Sequence, residues 1–155
     1  IDGFPSVQAF STPGHTKFGT TFLIGNHLFT GDTLFAAGCG RDFECPSATL
    51  SQSIAWFNTL PEDLIMYCGH EDTEKDLMFA KHVWPDDLDI SQALIATQKL
   101  RQLSIPTAAL SLKQARKQNI FLRCDDPHLW TLLPSPEPIQ NAQEAFCLLR
   151  DWKNK

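Results

Sequence analysis

The sequence predicts an α+β fold, with strands in its first half and helices in its second. Residues 7–10, 20–24 and 27–30 are rich in apolar and β-branched residues and are bounded by turn residues, a pattern typical of strands. Gly25 and Asn26 stand alone between the last two segments and predict a two-residue hairpin. In the second half, apolar residues recur at helical spacing behind polar capping residues, which predicts helices.

A helix, a strand and an irregular loop complete the first half. Residues 47–60 carry apolar side chains at near-helical spacing and end before Pro61, which predicts an amphipathic helix. Residues 64–68 predict a buried strand that runs into a glycine. Residues 38–46 have no period and predict a shaped loop.

Four helices are predicted in the second half, each introduced by a residue type that commonly caps helix N-termini. In chain order they are a helix from Thr73 that stops before Pro85, one capped by Asp89 or Ser91 that runs through Leu103, one from Ser111 to about Lys117, and one over residues 141–152. The proline-rich residues 127–138 between the last two predict an irregular segment.

The composition predicts a soluble globular protein of the cytoplasm. Of the 155 residues 43% are hydrophobic, and the formal net charge of −5 argues against nucleic acid as a partner. The five cysteines are odd in number and form no Cys-x-x-Cys pair, so they predict reduced thiols in a cytosolic protein. No apolar run approaches the roughly 18 residues of a membrane span, so we expect no membrane as a partner.

Three residues that commonly bind metals each follow a predicted strand and stand beside a glycine. They are His15 in Thr-Pro-Gly-His-Thr, Asp32 in Phe-Thr-Gly-Asp-Thr and His70 in Cys-Gly-His-Glu. Two imidazoles and a carboxylate suit zinc or iron. Each motif alone is more typical of a turn or a surface histidine, so it is their combination that predicts a metal site.

In their order along the chain, these motifs resemble the hydroxyacylglutathione hydrolase (glyoxalase II) family of the metallo-β-lactamase superfamily. The resemblance covers nearly the whole chain. The segments that carry it are Thr-Pro-Gly-His-Thr at 12–16, Phe-Thr-Gly-Asp-Thr-Leu-Phe at 29–35, Gly-Cys-Gly-Arg at 38–41, Tyr-Cys-Gly-His-Glu at 67–71, Phe-Ala-Lys-His-Val at 79–83, Asn-Ile-Phe-Leu-Arg at 119–123 and Leu-Leu-Arg-Asp-Trp-Lys at 148–153.

The resemblance implies a specific domain organisation. Residues 1–85 would form the second half of a metallo-β-lactamase αββα sandwich, and residues 86–155 a glyoxalase II-type C-terminal helical domain that binds substrate. A half-sandwich would expose the apolar face and the sheet edge that its partner half covers. We therefore expect poor solubility or oligomerisation when the chain is expressed alone.

The resemblance also implies a reaction, the hydrolysis of S-(2-hydroxyacyl)glutathione thioesters such as S-lactoylglutathione to glutathione and a 2-hydroxy acid. In the family a binuclear metal site, commonly zinc with iron or manganese admitted, activates a water for attack on the thioester carbonyl. By motif, His15 would bind the first metal and His70 the second. Asp32 would bridge both metals, which makes it the catalytic candidate.

Substrate-binding side chains are implied in the same way. Arg41 and Phe43 in the first-half loop, His70, and Arg150 with Lys153 in the last helix match positions that hold the glutathione moiety. Arginine can bind a carboxylate through two hydrogen bonds, and lysine offers a point charge. Arg150 and Lys153 are three residues apart and would share a helix face. A solvated cationic helix C-terminus is the structural alternative for that pair.

The chain departs from the family pattern in ways that bear on activity. It lacks the family's His-x-His-x-Asp-His cluster, so three donors would serve two metal positions and further ligands would have to come from a segment before Ile1. Asp72 replaces a tyrosine that contacts glutathione, and an acid there would repel the substrate carboxylates. Cys45 replaces a loop glycine.

Two other functions remain open on the sequence. The missing histidine cluster and Asp72 favour a non-catalytic, truncated or decayed homologue that serves as a folding or binding module. Another metallo-β-lactamase-type hydrolase, with a different thioester, lactone or sulfur substrate, is the second alternative. The Arg150–Lys153 tail and residues 111–123 speak against it, because they belong to the glyoxalase II pattern.

Overall fold

The α+β class is confirmed by a computed structural model that describes Gly3 and residues 5–155. Within these residues it contains one five-stranded sheet, six α-helices and a short 3₁₀ helix at Ile120–Arg123. The strands are β1 (Val7–Ser11), β2 (Thr20–Ile24), β3 (His27–Gly31), β4 (Ile65–Cys68) and β5 (Ala109–Ser111). The helices are α1 (Ser47–Phe57), α2 (Thr73–Val83), α3 (Leu88–Gln102), α4 (Leu112–Gln118), α5 (Pro127–Leu132) and α6 (Ala142–Asn154). None of these helices is long and apolar enough to cross a membrane.

The strand directions bring three loops to the same end of the sheet, where β1, β3 and β4 finish. The strands lie in chain order, and neighbours are antiparallel except β3 and β4, which are parallel and joined through α1. The predicted hairpin between β2 and β3 is confirmed, with Gly25 at φ +61°. The strands β1, β3 and β4 therefore run in one direction. Consequently His15, Asp32 and His70, which follow these strands, all lie at the same end of the sheet.

The two faces of the sheet differ in their cover. Leu28 of β3 and Met66 of β4 point to the helices and are fully buried. On the opposite face Val7, Phe22 and Phe29 are 60%, 42% and 40% exposed. The sequence predicted such an exposed apolar face. Poor solubility or self-association through it stays a prediction.

One hydrophobic core joins the first and second halves of the chain. Phe57 of α1 and Leu149 of α6 are fully buried in the same cluster as the covered sheet residues. The strand β5 lies beyond the predicted boundary at residue 85 and pairs with β4 at the sheet edge. The division into residues 1–85 and 86–155 stays a prediction.

The cap of α4 was predicted correctly, and the cap of α3 was not. Ser111 caps α4 with a complete capping box to Gln114. The helix α3 begins after Asp87, whose carboxylate accepts a hydrogen bond from Ile90 N at 2.8 Å. The predicted caps, Asp89 and Ser91, lie inside the helix. Asp87 is favoured over Asp89 and Ser91 as the cap because it also forms an ion pair with Arg123. Arg123 is distant in the chain, so the local sequence does not reveal this contact.

The predicted N-cap of α2 was also wrong. Thr73 is the first residue of the helix, and Asp72 occupies the cap position without a side-chain capping bond. The Thr73 hydroxyl instead donates to the Thr107 carbonyl at 3.1 Å. A buried tertiary contact has therefore replaced the local cap, since the donated proton satisfies a carbonyl of another segment.

Part of the segment predicted to be irregular is helical. The short helix α5 starts at Pro127, a residue that suits the first helical position because it lacks an N–H that would need a partner. The Asp126 carboxylate caps it by accepting from His128 N at 2.9 Å. The sequence reading missed this proline-led start and also missed β5 and the 3₁₀ helix, which are too short to show a period.

We expect the cap residue Asp87 to make folding stability depend on pH. Arg123 Nη2 lies 2.8 Å from the Asp87 carboxylate. Burial alone would raise the pKa of that carboxyl, but the hydrogen bonds from Arg123 and Ile90 outweigh it and lower the pKa below its ordinary value. The resulting stabilisation is present above the unfolded-state pKa and is lost as the pH falls through the lower, folded-state pKa.

The test is urea unfolding of Asp87→Asn across that range of pH. Asparagine keeps the cap but loses the charge, so the free energy of unfolding should fall by about 1–3 kcal/mol at neutral pH. The difference should shrink in acid. Asp89→Asn is the matched control, because its exposed carboxylate lies 3.9 Å from Lys117 Nζ and should contribute about 0.5 kcal/mol or less. A loss that is equal in both variants or independent of pH would contradict the assignment.

Candidate metal centre and adjoining cleft

The three predicted metal ligands meet beyond the carboxyl ends of β1, β3 and β4. Asp32 Oδ2 lies 3.7 Å from His15 Nε2 and 3.3 Å from His70 Nε2. The carboxylate therefore stands between two imidazoles that come from separate loops. Its side chain is 32% exposed, His15 is 22% exposed and His70 is 59% exposed, so the group can be reached from solvent.

Glycines in the loops let the ligands approach one another. A β-carbon on Gly69 would collide with Asp32 Oδ1, and one on Gly40 would collide with the Asp32 carbonyl and lie 2.9 Å from His15 Nδ1. Gly31 has a φ of +52°, a conformation that turns the chain sharply between β3 and Asp32 and that glycine adopts without strain. Close packing around Asp32 thus requires glycine at positions 40 and 69, whereas at position 31 the backbone conformation favours it.

A hydrogen bond fixes which nitrogen of His15 faces the carboxylate. His15 Nδ1 lies 2.8 Å from the Arg41 carbonyl oxygen. A carbonyl can only accept, so the proton of the neutral ring belongs on Nδ1, and Nε2 presents its lone pair toward Asp32. Metal-binding histidines commonly have this arrangement, in which the second nitrogen is tied to a backbone carbonyl.

The donors fit a metal as a partial set. Two ligand atoms at about 2.1 Å from a tetrahedral zinc are roughly 3.4 Å apart, close to the separations between Asp32 Oδ2 and the two Nε2 atoms. As one group, however, these side chains do not form a site that could hold a metal ion by themselves, and neither does any other group of three or more His, Cys, Asp or Glu residues in the described part of the chain. The spacing of the three side chains thus suits metal ligands, but they do not complete a site by themselves.

Glu71 anchors the loop that carries His70. Its Oε2 accepts a hydrogen bond from Thr107 N at 2.7 Å, and its Oε1 accepts one from the Thr107 hydroxyl. Arg101 Nη1 lies 3.8 Å from Oε2. The backbone beside His70 is thereby tied to the segment before β5, although the His70 ring itself is exposed.

Side chains from the second half hold the loop that precedes Arg41. Asn119 Nδ2 donates to the carbonyls of Phe35 at 3.1 Å and Gly38 at 2.9 Å. Arg150 Nη1 donates to the carbonyls of Cys39 at 3.0 Å and Gly40 at 3.3 Å. Among these four carbonyls, that of Gly38 also accepts a backbone hydrogen bond from Phe35 N at 2.8 Å, so the loop takes its shape from one internal bond and from distant donors. In the sequence Asn119 stands out only as part of a family motif, which does not reveal this role.

A cleft of about 380 Å³ adjoins the three ligands. All the predicted substrate-binding residues line it: Arg41, Phe43, His70, Arg150 and Lys153. Its other charged lining residues are Asp32, Asp72, Lys75 and Asp76. The sequence reading did not single out Lys75 or Asp76, which lie inside a helix with no motif to mark them.

The two cations of α6 differ from the exposed residues at the cleft mouth. Arg150 is only 2% exposed, and its guanidinium lies 5.2 Å from the centre of the Phe121 ring. Lys153 forms an ion pair with Asp76. Both face the same cleft, as their spacing predicted, and a merely solvated helix end is excluded. Phe43, by contrast, is 70% exposed.

The thiol of Cys39 lies beneath this cleft and is not activated as a nucleophile. Burial raises its pKa to about 11, although the neighbouring Arg150 and Lys153 oppose the shift. The thiolate is the reactive form of cysteine. Cys39 therefore acts as a packing residue under the loop.

Comparison with protein families gives a match over the second part of the chain. The family model described as "Hydroxyacylglutathione hydrolase C-terminus" matches residues 71–155. The hydroxyacylglutathione hydrolase of Neisseria meningitidis serogroup C is 39% identical over 99% of this chain and 61% of its own length. That of Aeromonas hydrophila is 37% identical over 96% of this chain and 59% of its own length. The chain thus spans about three fifths of the curated relatives that it matches.

Two solved structures share the fold at low sequence identity. The crystal structure of ETHE1 from Myxococcus xanthus has a TM-score of 0.57 and 21% identity, covering 100% of this chain and 49% of that one. A metallo-β-lactamase from Staphylococcus aureus has a TM-score of 0.55 and 18% identity, covering 94% of this chain and 39% of that one. The chain therefore has a metallo-β-lactamase type of fold over most of its length.

Replacing Asn119 by alanine should loosen the loop before Arg41. The side chain is fully buried, and its loss would leave the Phe35 and Gly38 carbonyls without those donors. We expect the free energy of unfolding to fall by about 2–4 kcal/mol in urea titrations. Asn154→Ala removes an exposed amide bonded to Asp42 at 3.1 Å and should cost about 0.5 kcal/mol or less. Equal losses in the two variants would show that Asn119 does not hold the loop.

Proposed function

The chain belongs to the hydroxyacylglutathione hydrolase family, and from this membership we propose that its cleft takes part in the hydrolysis of an acylglutathione-type thioester such as S-lactoylglutathione. The products would be a 2-hydroxy acid and the free thiol. Water supplies the oxygen that forms the new carboxyl group, and the thiol departs with the electron pair of the broken carbon–sulfur bond. The leaving thiol has an ordinary pKa near ~8.5, so its departure needs little help from an acid.

One observation carries the proposal, namely the position of Asp32 Oδ2 between His15 Nε2 and His70 Nε2 at the mouth of a charged cleft. In this proposal His15 and His70 would each hold one metal, and Asp32 would be a ligand to both. A divalent metal in such a site lowers the pKa of water to about 7 and polarises a carbonyl oxygen. Zinc is the proposed ion, with iron or manganese as substitutes, because the donors are two imidazoles and a carboxylate.

The chain's own residues would orient the substrate beside these ligands. Arg41 lines the cleft, and its own backbone carbonyl accepts the hydrogen bond from His15 Nδ1, so one residue both orients the His15 ring and brings a cationic side chain to the cleft. The exposed ring of Phe43 lies 5.4 Å from the His15 ring and offers an apolar wall for the acyl or thiol portion. Arg150 and Lys153 lie on the α6 side of the cleft.

The proposed function is tested by a thioester hydrolysis assay with S-lactoylglutathione and added zinc. The wild-type chain should release thiol, and Asp32→Asn should lower kcat/KM by about 100-fold or more, because it removes the shared negative donor. Asp89→Asn, at a residue that does not line the cleft, is the matched control and should leave the rate unchanged. Release of no thiol by the wild-type chain would contradict catalysis by these residues alone.

A non-catalytic binding module is the second candidate. It is favoured by the finding that no group of three or more metal-binding side chains in the described residues could hold a metal by itself. A chain of this kind would bind glutathione derivatives without hydrolysing the thioester. The hydrolysis assay combined with a binding titration separates the two functions.

We further predict that zinc binding depends on the two converging histidines. In calorimetric titrations His15→Ala and His70→Ala should each weaken zinc binding by at least about 10-fold, since each removes one donor from a small set. His82→Ala removes an exposed histidine from α2 whose ring packs on Trp152, and it should have no effect. Weakening by His82→Ala as large as that by the other two variants would place the metal elsewhere.

A further inference from the structure

The loop that carries His15 is fixed on one side by the body of the fold. This loop, called the His15 loop below, comprises residues 12–19 and enters from β1. Thr12 at its start is buried. The Pro13 carbonyl accepts a hydrogen bond from the Ser53 hydroxyl of α1 at 2.6 Å. The backbone that leads into the histidine is therefore held against the sheet and α1.

The other side of the His15 loop faces solvent. Phe18 is 89% exposed, and Lys17 is exposed as well. Two glycine N–H groups of the loop donate to the Thr16 carbonyl, at 3.0 and 3.3 Å, but these bonds are internal to the loop. In the described part of the chain, a single hydrogen bond ties residues 16–18 to a segment outside the loop and the strand that follows it. It runs from Lys17 N to Glu44 Oε2 at 2.8 Å.

Glu44 belongs to a short segment, residues 41–44, that also contacts His15 directly. The Arg41 carbonyl accepts a hydrogen bond from His15 Nδ1 at 2.8 Å, and the centre of the Phe43 ring lies 5.4 Å from that of the His15 ring. With Glu44 the segment therefore contacts the His15 loop at three points. The bond to the Arg41 carbonyl alone would let the loop pivot, whereas three contacts fix its orientation.

The chemistry of the Glu44 contact separates orientation from stability. A carboxylate is a stronger acceptor for a backbone N–H than a neutral group is. Lys17 and Glu44 are both exposed, so water can replace the bond between them, and its loss should change the free energy of unfolding little. The loss should instead release the outer side of the His15 loop, and with it the imidazole ring.

We propose that Glu44 is a positioning residue for His15. By holding Lys17 N, it keeps His15 Nδ1 on the Arg41 carbonyl. The other ring nitrogen then stays directed at Asp32. Glu44 thereby supports metal binding without being a ligand itself. The inference rests on the proposed function, because it takes His15 to be a metal ligand.

The test is nitrogen-15 NMR of the His15 ring in metal-free Glu44→Ala and Glu44→Gln at alkaline pH. Glu44→Ala removes the acceptor, so the signal should change from a ring protonated on Nδ1 to an average of the two tautomers. Glu44→Gln keeps an acceptor oxygen and should retain the wild-type signal. In calorimetric titrations zinc should bind Glu44→Ala at least about fivefold more weakly than the wild-type chain, and Glu44→Gln within about twofold of it.

Glu62→Ala is the matched control, because it removes an exposed carboxylate that pairs with Lys113 at 3.1 Å. It should leave the His15 signal and the zinc affinity unchanged. An unchanged His15 signal in Glu44→Ala would overturn the inference and leave the proposed function standing. Global unfolding of Glu44→Ala would also overturn it, since the residue would then act on stability. If the wild-type chain binds no zinc, the proposed metal site is wrong, and the metal-free NMR still decides the role of Glu44.

Discussion

The candidate site depends on the carbonyl groups of the loop between Phe35 and Gly40. These carbonyls cannot all be satisfied within the loop, which contains only an isolated bridge between Leu34 and Cys39. Buried carbonyls need donors, and here Asn119 and Arg150 supply them from the second half of the chain. The helical part therefore shapes the site loop as well as lining the cleft.

This constraint extends through the backbone to the candidate metal ligands. The held loop delivers the Arg41 carbonyl to His15 Nδ1, which leaves Nε2 directed at Asp32. The same helical part places Lys153 against Asp76, so it governs both the ligand geometry and the charge of the cleft. The family model covers residues 71–155 and so includes Asn119 and Arg150. These two residues are the donors on which the loop before Arg41 depends.

The sequence predicted the class of fold and the convergence of His15, Asp32 and His70, because local patterns of strands and glycines mark both; their role as metal ligands stays a prediction. Each ligand stands between a strand and a glycine, and the parallel course of β3 and β4 then brings Asp32 and His70 together. It could not predict that Lys153 is paired with Asp76, since 77 residues separate them and no motif marks the acid. It misplaced the cap of α3 for the same reason, because the partner that favours Asp87 is the distant Arg123.

The most direct test of this account is nitrogen-15 NMR of the His15 side chain in the wild-type chain at alkaline pH, without metal. If the loop held by Asn119 and Arg150 delivers the Arg41 carbonyl, the proton will reside on Nδ1 and Nε2 will be bare. A ring protonated on Nε2, or an average of the two tautomers, would show that the second half of the chain does not orient this ligand. The link between the helical part and the site would then be wrong.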